Sequence, residues 1–81
     1  MTKALNGICR LFCWLDAHGY KVAAGGKEYQ VVGYLGEITV YYGNKKVFDD
    51  AVSSDDDFIT ALALIDCALA NTVQQIMQGR V

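Results

Sequence analysis

The spacing of apolar residues predicts one helix near each end of the chain. Over residues 3–18, apolar side chains recur at intervals of three and four, as at Ile8, Leu11 and Leu15. This interval places them on one face of a helix. Residues 55–78 carry a longer stripe with the same interval: Phe58, Leu62, Ile65, Leu69, Val73 and Ile76. We therefore predict an amphipathic amino-terminal helix and a long carboxyl-terminal helix.

Between the two helices, apolar and polar residues alternate with the period of β-strands. Residues 28–35 and 37–42 show this alternation most clearly, and the shorter segments 20–24 and 46–48 flank them. Glycine-containing turn signals separate the segments. This order predicts an α+β fold, α-β-β-β-(β)-α, in a single domain over residues 1–81. We expect a three- to four-stranded antiparallel sheet with the long carboxyl-terminal helix packed on one sheet face.

Five aspartates cluster at the start of the carboxyl-terminal helix and permit three interpretations. Ser53 or Ser54 can cap the helix together with a nearby aspartate, and carboxylates in a first turn favour the positive end of the helix dipole. The second interpretation is a loop for a hard cation, but the ligand spacing, central glycine and closing glutamate of a calcium loop are missing. The third is docking onto a basic partner surface. The five residues are Asp49, Asp50, Asp55, Asp56 and Asp57.

Three aromatic residues are candidates for contact with a partner. Trp14 projects away from the apolar stripe of the first helix. The alternative to partner contact is that a neighbouring loop or the chain end covers this side chain. Tyr34 and Tyr41 fall on the less apolar face of the predicted sheet. Tyrosine and tryptophan are enriched at interaction hot spots because they offer large, rigid contact area with a polar tip.

A second candidate surface lies on the carboxyl-terminal helix. Asp66 falls at the edge of the apolar stripe, whereas Leu64 and Cys67 fall on the otherwise polar side. These displaced residues predict a second buried face, used by an oligomer interface. The alternative for Asp66 is a half-exposed acid that pairs with a lysine.

Composition argues against nucleic acid and membrane as direct partners. The chain has a formal net charge of −2, and its basic residues are scattered, with only Lys45 and Lys46 adjacent. Phosphate neutralisation requires a basic stripe, which this distribution does not form. No leader is apparent, and the longest apolar run is much shorter than a membrane span. We expect a cytoplasmic protein.

The titratable residues do not form a recognisable catalytic or metal-binding set. The cysteines number three, Cys9, Cys13 and Cys67, which favours free thiols acting as small buried hydrophobes. His18 is the only histidine, and with the cysteines it lacks the paired short spacings of zinc sites. We predict no enzymatic activity, no metal and no cofactor.

The element order resembles that of the double-stranded-RNA-binding domain. In that family the last helix begins with a lysine-rich motif that grips phosphates. Here the corresponding position holds Asp55, Asp56 and Asp57, so the charge is inverted. RNA-binding residues therefore do not transfer to this chain.

In length, acidity and compact α+β pattern, the chain also resembles the small inhibitors encoded by phages and mobile elements, of the anti-CRISPR type. That resemblance implies a non-enzymatic protein-binding module that occludes a basic, nucleic-acid-binding or subunit surface of a host protein. In that case the protein acts in the host cytoplasm. The alternative is a self-associating structural or adaptor subunit that uses the carboxyl-terminal helix as its interface.

Overall fold

A computed structural model describes residues 6–34 and 36–80 of the chain. The predicted beginning of the first helix, at residues 3–5, lies outside these residues, as does Leu35. The elements are, in chain order, α1 (Asn6–Ala17), β1 (Lys21–Ala24), β2 (Lys27–Tyr34), β3 (Glu37–Tyr42), β4 (Lys45–Ala51), α2 (Asp55–Ile65) and α3 (Cys67–Met77).

The four strands form one antiparallel sheet in the order β1-β2-β3-β4. Gly25 and Gly26, with φ of 58° and 78°, connect β1 to β2 through the positive-φ turn that suits the twist of a hairpin. The predicted α+β class, with an antiparallel sheet between an amino-terminal and a carboxyl-terminal helical part, is confirmed.

All three helices belong to one layer, and the alternation of the strands points their apolar side chains towards it. The α3 helix contacts α1, α2 and β1. The Arg10 guanidinium of α1 donates a hydrogen bond of 2.7 Å to the carbonyl of Met77, which ties α1 to the end of α3. The buried core is composed of Leu11, Leu15, Val22, Ala24, Tyr29, Val31, Ile38, Val40, Phe58, Leu62, Leu69, Ala70, Val73, Ile76 and Met77.

The carboxyl-terminal helical part is interrupted at Asp66, so the predicted single helix over residues 55–78 is two helices. Asp66 has extended backbone angles, φ −159° and ψ 112°. Its N–H donates to the carbonyl of Leu62 and closes α2, while its carboxylate accepts from the N–H of Ala68 and caps α3. Most of the apolar stripe stays buried on both sides of the break, but Ile65, the last residue of α2, is 39% exposed.

The fourth strand is longer than predicted and holds the first two clustered aspartates. It runs from Lys45 to Ala51 rather than over residues 46–48. Asp49 pairs with Thr39 of β3, and Asp50 pairs with Ile38. Backbone pairing with β3 therefore outweighs the low strand propensity of aspartate.

The cysteines differ from the sequence expectation. Cys9, Cys13 and Cys67 are all exposed free thiols and not buried hydrophobes. Helix geometry explains the exposure of the two cysteines on α1. Leu11 and Leu15 define the buried face of this helix, and Cys9 and Cys13 fall on the other side. Among residues 6–34 and 36–80, no helix is long and apolar enough to cross a bilayer.

Gly33 sets the approach of α1 to the sheet, and its substitution tests the packing. A Cβ atom at Gly33 would overlap the ring of Phe12. We expect Gly33→Ala to lower the free energy of unfolding by about 1–3 kcal/mol, because the ring or the strand must move. Urea unfolding followed by circular dichroism measures the change.

Combining Gly33→Ala with Phe12→Leu provides the control. The smaller side chain makes room for the methyl group, so the double variant should lose less stability than the two single losses added together. A Gly33→Ala protein as stable as the original would contradict the close approach of α1 to β2.

Candidate interaction surfaces

The sheet face opposite the helices is a regular surface that the fold leaves accessible. We call it the open face. Tyr34 is 78% exposed on it, while Val32, Thr39 and Tyr41 are half-buried among their neighbours. Strand alternation assigns to it Lys21, Ala23, Glu28, Gln30, Val32, Tyr34, Glu37, Thr39, Tyr41, Lys46, Asp49 and Ala51.

The register of the strands separates the charges of the open face into two halves. In one half, Lys21 and Lys46 lie in the row that contains Gln30 and Tyr41, and Glu28 lies in the next row towards the β1–β2 turn. At the other end, Tyr34 pairs with Glu37. Asp49 belongs to the neighbouring row, opposite Thr39. Asp50 pairs with the buried Ile38, so strand alternation points its side chain to the helix side of the sheet, where it is exposed at the edge. We call Tyr34, Glu37 and Asp49 the acidic end of the open face.

Asp49 is partly neutralised within its own strand. The ammonium of Lys46 lies 3.1 Å from one carboxylate oxygen of Asp49, and the hydroxyl of Thr39 donates to the other at 3.3 Å. The hydrogen bond from Lys46 to Asp49, followed by their charge attraction, raises the pKa of Lys46 above its ordinary value. Exposed pairs of this kind contribute little to stability. The pair therefore matters more for the charge pattern than for the fold.

The remaining members of the acidic cluster lie on α2, and two of them have local structural roles. Ser54 is the helix cap, since its hydroxyl accepts from the N–H of Asp57 at 3.1 Å. The hydroxyl of Ser53 in turn donates to the carboxylate of Asp57 at 2.8 Å. Asp55 accepts the N–H of Gly7 at 2.9 Å and joins the starts of α1 and α2. The predicted capping by Ser53 or Ser54 is thus confirmed, with Ser54 as the cap.

The five aspartates do not act as one free carboxylate patch. Asp49 and Asp50 lie on the edge strand, Asp55 and Asp57 are used at the helix start, and Asp56 is exposed on α2. The charge available for a partner is therefore smaller than the sequence suggests. Glu37 adds to it on the open face, and the alternation of β3 was the sequence signal for this residue.

Trp14 lies apart from the two tyrosines, because it belongs to the helical layer. The imidazole of His18 stacks on its indole ring with 3.8 Å between ring centroids and an interplanar angle of 11°. A ring nitrogen of His18 also lies 2.7 Å from the carbonyl oxygen of Trp14. Trp14 is half-buried against the core. His18, one helical turn later, thus covers one face of the indole ring.

The end of α2 presents a small apolar surface. Leu64 is 86% exposed and Ile65 39% exposed, next to the exposed Cys67. Leu64 and Cys67 are therefore accessible, as an interface would require. Asp66 has a different role, because its carboxylate is occupied within the chain.

Among the described residues, Asp66 is the carboxylate with the most polar partners. The Tyr29 hydroxyl donates to one of its oxygens at 2.6 Å, and the N–H of Ala68 donates to the other at 2.9 Å. The ammonium of Lys27 lies 3.8 Å away. The bond to Asp66, followed by burial, raises the pKa of Tyr29 to about 12. The same bond, helped by backbone N–H groups and Lys27, holds the pKa of Asp66 below its ordinary value.

Within residues 6–34 and 36–80, no three histidine, cysteine, aspartate or glutamate side chains come together as a metal-binding group. Cys9, Cys13, Cys67 and His18 are thus not assembled into the four-ligand set weighed from the sequence. The sequence matches no known family model, and searches of curated proteins and of solved structures also gave no match.

The Tyr29–Asp66 hydrogen bond makes a prediction about stability and pH. Asp66→Ala removes both the cap of α3 and the acceptor for Tyr29, so we expect the melting temperature at pH 7 to fall by roughly 5 °C or more. The folded pKa of Asp66 is lowered. Its contribution to the free energy of unfolding is therefore present above the unfolded pKa of 3.8 and is lost as pH falls through the folded pKa. The folded pKa of Tyr29 is raised to about 12. Its contribution to the free energy of unfolding is therefore present below the unfolded pKa of 10.0 and is lost as pH rises through the folded pKa.

Asp16→Ala is the matched control, because Asp16 accepts a 2.8 Å hydrogen bond from Tyr20 at an exposed position. Its melting temperature should stay close to that of the original protein, and thermal melts from pH 3 to pH 11 compare the two. Equal melting temperatures for Asp66→Ala and Asp16→Ala at pH 7 would contradict the structural role of Asp66.

Proposed function

We propose that this chain is a non-enzymatic protein-binding module that docks the acidic end of its open face onto a basic surface of a partner protein. The observation that carries the proposal is the position of Tyr34, 78% exposed on a regular sheet and paired with Glu37. An accessible tyrosine ring beside carboxylates suits a surface of lysine and arginine, because it combines apolar contact with charge attraction.

The specific form that we propose is a small inhibitor of the phage-encoded, anti-CRISPR type, acting in the cytoplasm of the host cell. Support comes from the net charge of −2, the small α+β fold and the carboxylates beside Tyr34. Such a module acts by occlusion, since it occupies a basic surface that otherwise holds nucleic acid or a subunit. Of the residues proposed from the sequence, Tyr34 and Asp49 form the centre of this surface and Tyr41 borders it, whereas Asp50 points to the other side of the sheet. Asp56 and Trp14 lie outside it, and Asp55 and Asp57 support the fold.

The proposal is tested with a partner captured from the source cell, identified by mass spectrometry and then purified. We expect Glu37→Gln with Asp49→Asn to lower the association rate at low salt and to flatten its salt dependence, because charge steers the encounter. Tyr34→Ala should mainly raise the dissociation rate, by about tenfold or more, as expected for a hot-spot residue. Surface plasmon resonance at several salt concentrations measures both rates.

Two substitutions serve as controls. Glu28→Gln changes a charge on the open face near the β1 edge, away from the acidic end. Leu64→Ala removes exposed apolar surface from α2. Neither should change binding appreciably. An unchanged association rate in the double charge variant, or unchanged dissociation in Tyr34→Ala, would contradict the proposal.

A second candidate function, self-association through the end of α2, is favoured by the 86% exposure of Leu64 next to Ile65. A symmetric dimer would pair this patch with itself. Sedimentation velocity over a concentration series, with a reducing agent present, should then show a dimer that Leu64→Asp dissociates and Tyr34→Ala leaves intact. A monomer at every concentration would remove this candidate without affecting the first.

A further inference from the structure

The three exposed thiols are unusual, since free cysteine is among the residue types most often buried. Cys9 and Cys13 both lie on α1, four residues apart and on the side away from Leu11 and Leu15. Neither thiol belongs to the acidic end of the open face. Their position therefore calls for an explanation separate from that surface.

The spacing of Cys9 and Cys13 brings the two sulfur atoms within reach of a single ion. Side chains four residues apart on a helix lie one above the other, with Cβ atoms about 5–6 Å apart. A metal–thiolate bond is about 2.3 Å, so two sulfurs on opposite sides of one ion are about 4.6 Å apart. Side-chain rotation spans the difference without any change in the helix.

The number and type of ligands select the ion. Thiolates favour soft cations, whereas Ca²⁺ and Mg²⁺ require several oxygen ligands. Structural zinc sites require four ligands, and the described residues assemble no group of three. A soft ion that accepts two ligands satisfies both conditions.

We propose that Cys9 and Cys13 form a two-thiolate binding site for a soft monovalent cation of the Cu⁺ class. On binding, each thiol loses its proton to solvent and forms one sulfur–copper bond. Copper stays in the +1 state, so no electron is transferred, and the occupied site carries a net charge of −1. The site is independent of the proposed protein-binding function.

Cys67 provides the matched control, because it is also exposed but lies on α3, where its thiol donates to the carbonyl of Ala63 at 3.6 Å. A second control tests spacing. Cys13→Ser combined with Asp16→Cys leaves two cysteines on the exposed side of α1, but two helical turns apart. Their Cα atoms are then separated by about 10.5 Å along the helix, too far for one ion to bridge.

The experiment is an anaerobic competition for Cu⁺ between the fully reduced protein and a chromophoric chelator, with circular dichroism confirming the fold of each variant. We expect one Cu⁺ per chain for the original protein and for Cys67→Ser, with about two protons released per ion. Cys9→Ser, Cys13→Ser and the spacing control should each bind at least tenfold more weakly. Equal affinity in all variants, or loss of binding only in Cys67→Ser, would overturn the proposal.

Discussion

The hydrogen bond between the Tyr29 hydroxyl and the Asp66 carboxylate is the constraint on which the arrangement of layers depends. It joins the second strand to the junction of α2 and α3, and the other oxygen of the same carboxylate caps α3. Because α3 contacts α1, α2 and β1, its position determines how the helical layer covers the sheet. One carboxylate thereby links the sheet to the helix at the centre of that layer.

The helical layer covers one face of the sheet and leaves the other accessible. The helices bury Val22, Val31 and Val40 on their side, while the opposite side carries alternating polar and aromatic residues. A four-stranded antiparallel sheet needs only one buried face to be stable. The open face is thus a normal consequence of the fold, and its chemistry depends on the residues that alternation places there.

The elements of the fold were largely predictable, because apolar residues recur along the chain with the periods of helices and strands. The break at Asp66 was not, since a single extended residue leaves Phe58, Leu62, Leu69 and Val73 buried as a continuous helix would. The misplacement of Asp66 at the edge of the stripe was the available signal. The sequence left two interpretations of it, an oligomer contact and a half-exposed acid paired with a lysine, and the ammonium of Lys27 lies 3.8 Å from its carboxylate. The hydrogen bond with Tyr29 was not predictable, because Tyr29 lies 37 residues earlier in the chain.

The acidic cluster shows why closeness in sequence does not define a surface. The strand places Asp49 and Asp50 on the sheet, whereas the helix start engages Asp55 and Asp57 in hydrogen bonds. Only tertiary pairing, here between β3 and β4, brings Glu37 close to this edge. The surface that we propose for binding is therefore smaller than the cluster and includes a residue outside it.

The central claim, that the acidic end of the open face is the binding surface, is tested most directly by nuclear magnetic resonance. The ¹⁵N-labelled protein is titrated with its purified partner, and amide shift changes are mapped on the structure. The account predicts that the largest changes fall on Tyr34, Glu37, Asp49 and their strand neighbours, with little change at Leu64. Changes centred on the end of α2, with the open face unaffected, would contradict it.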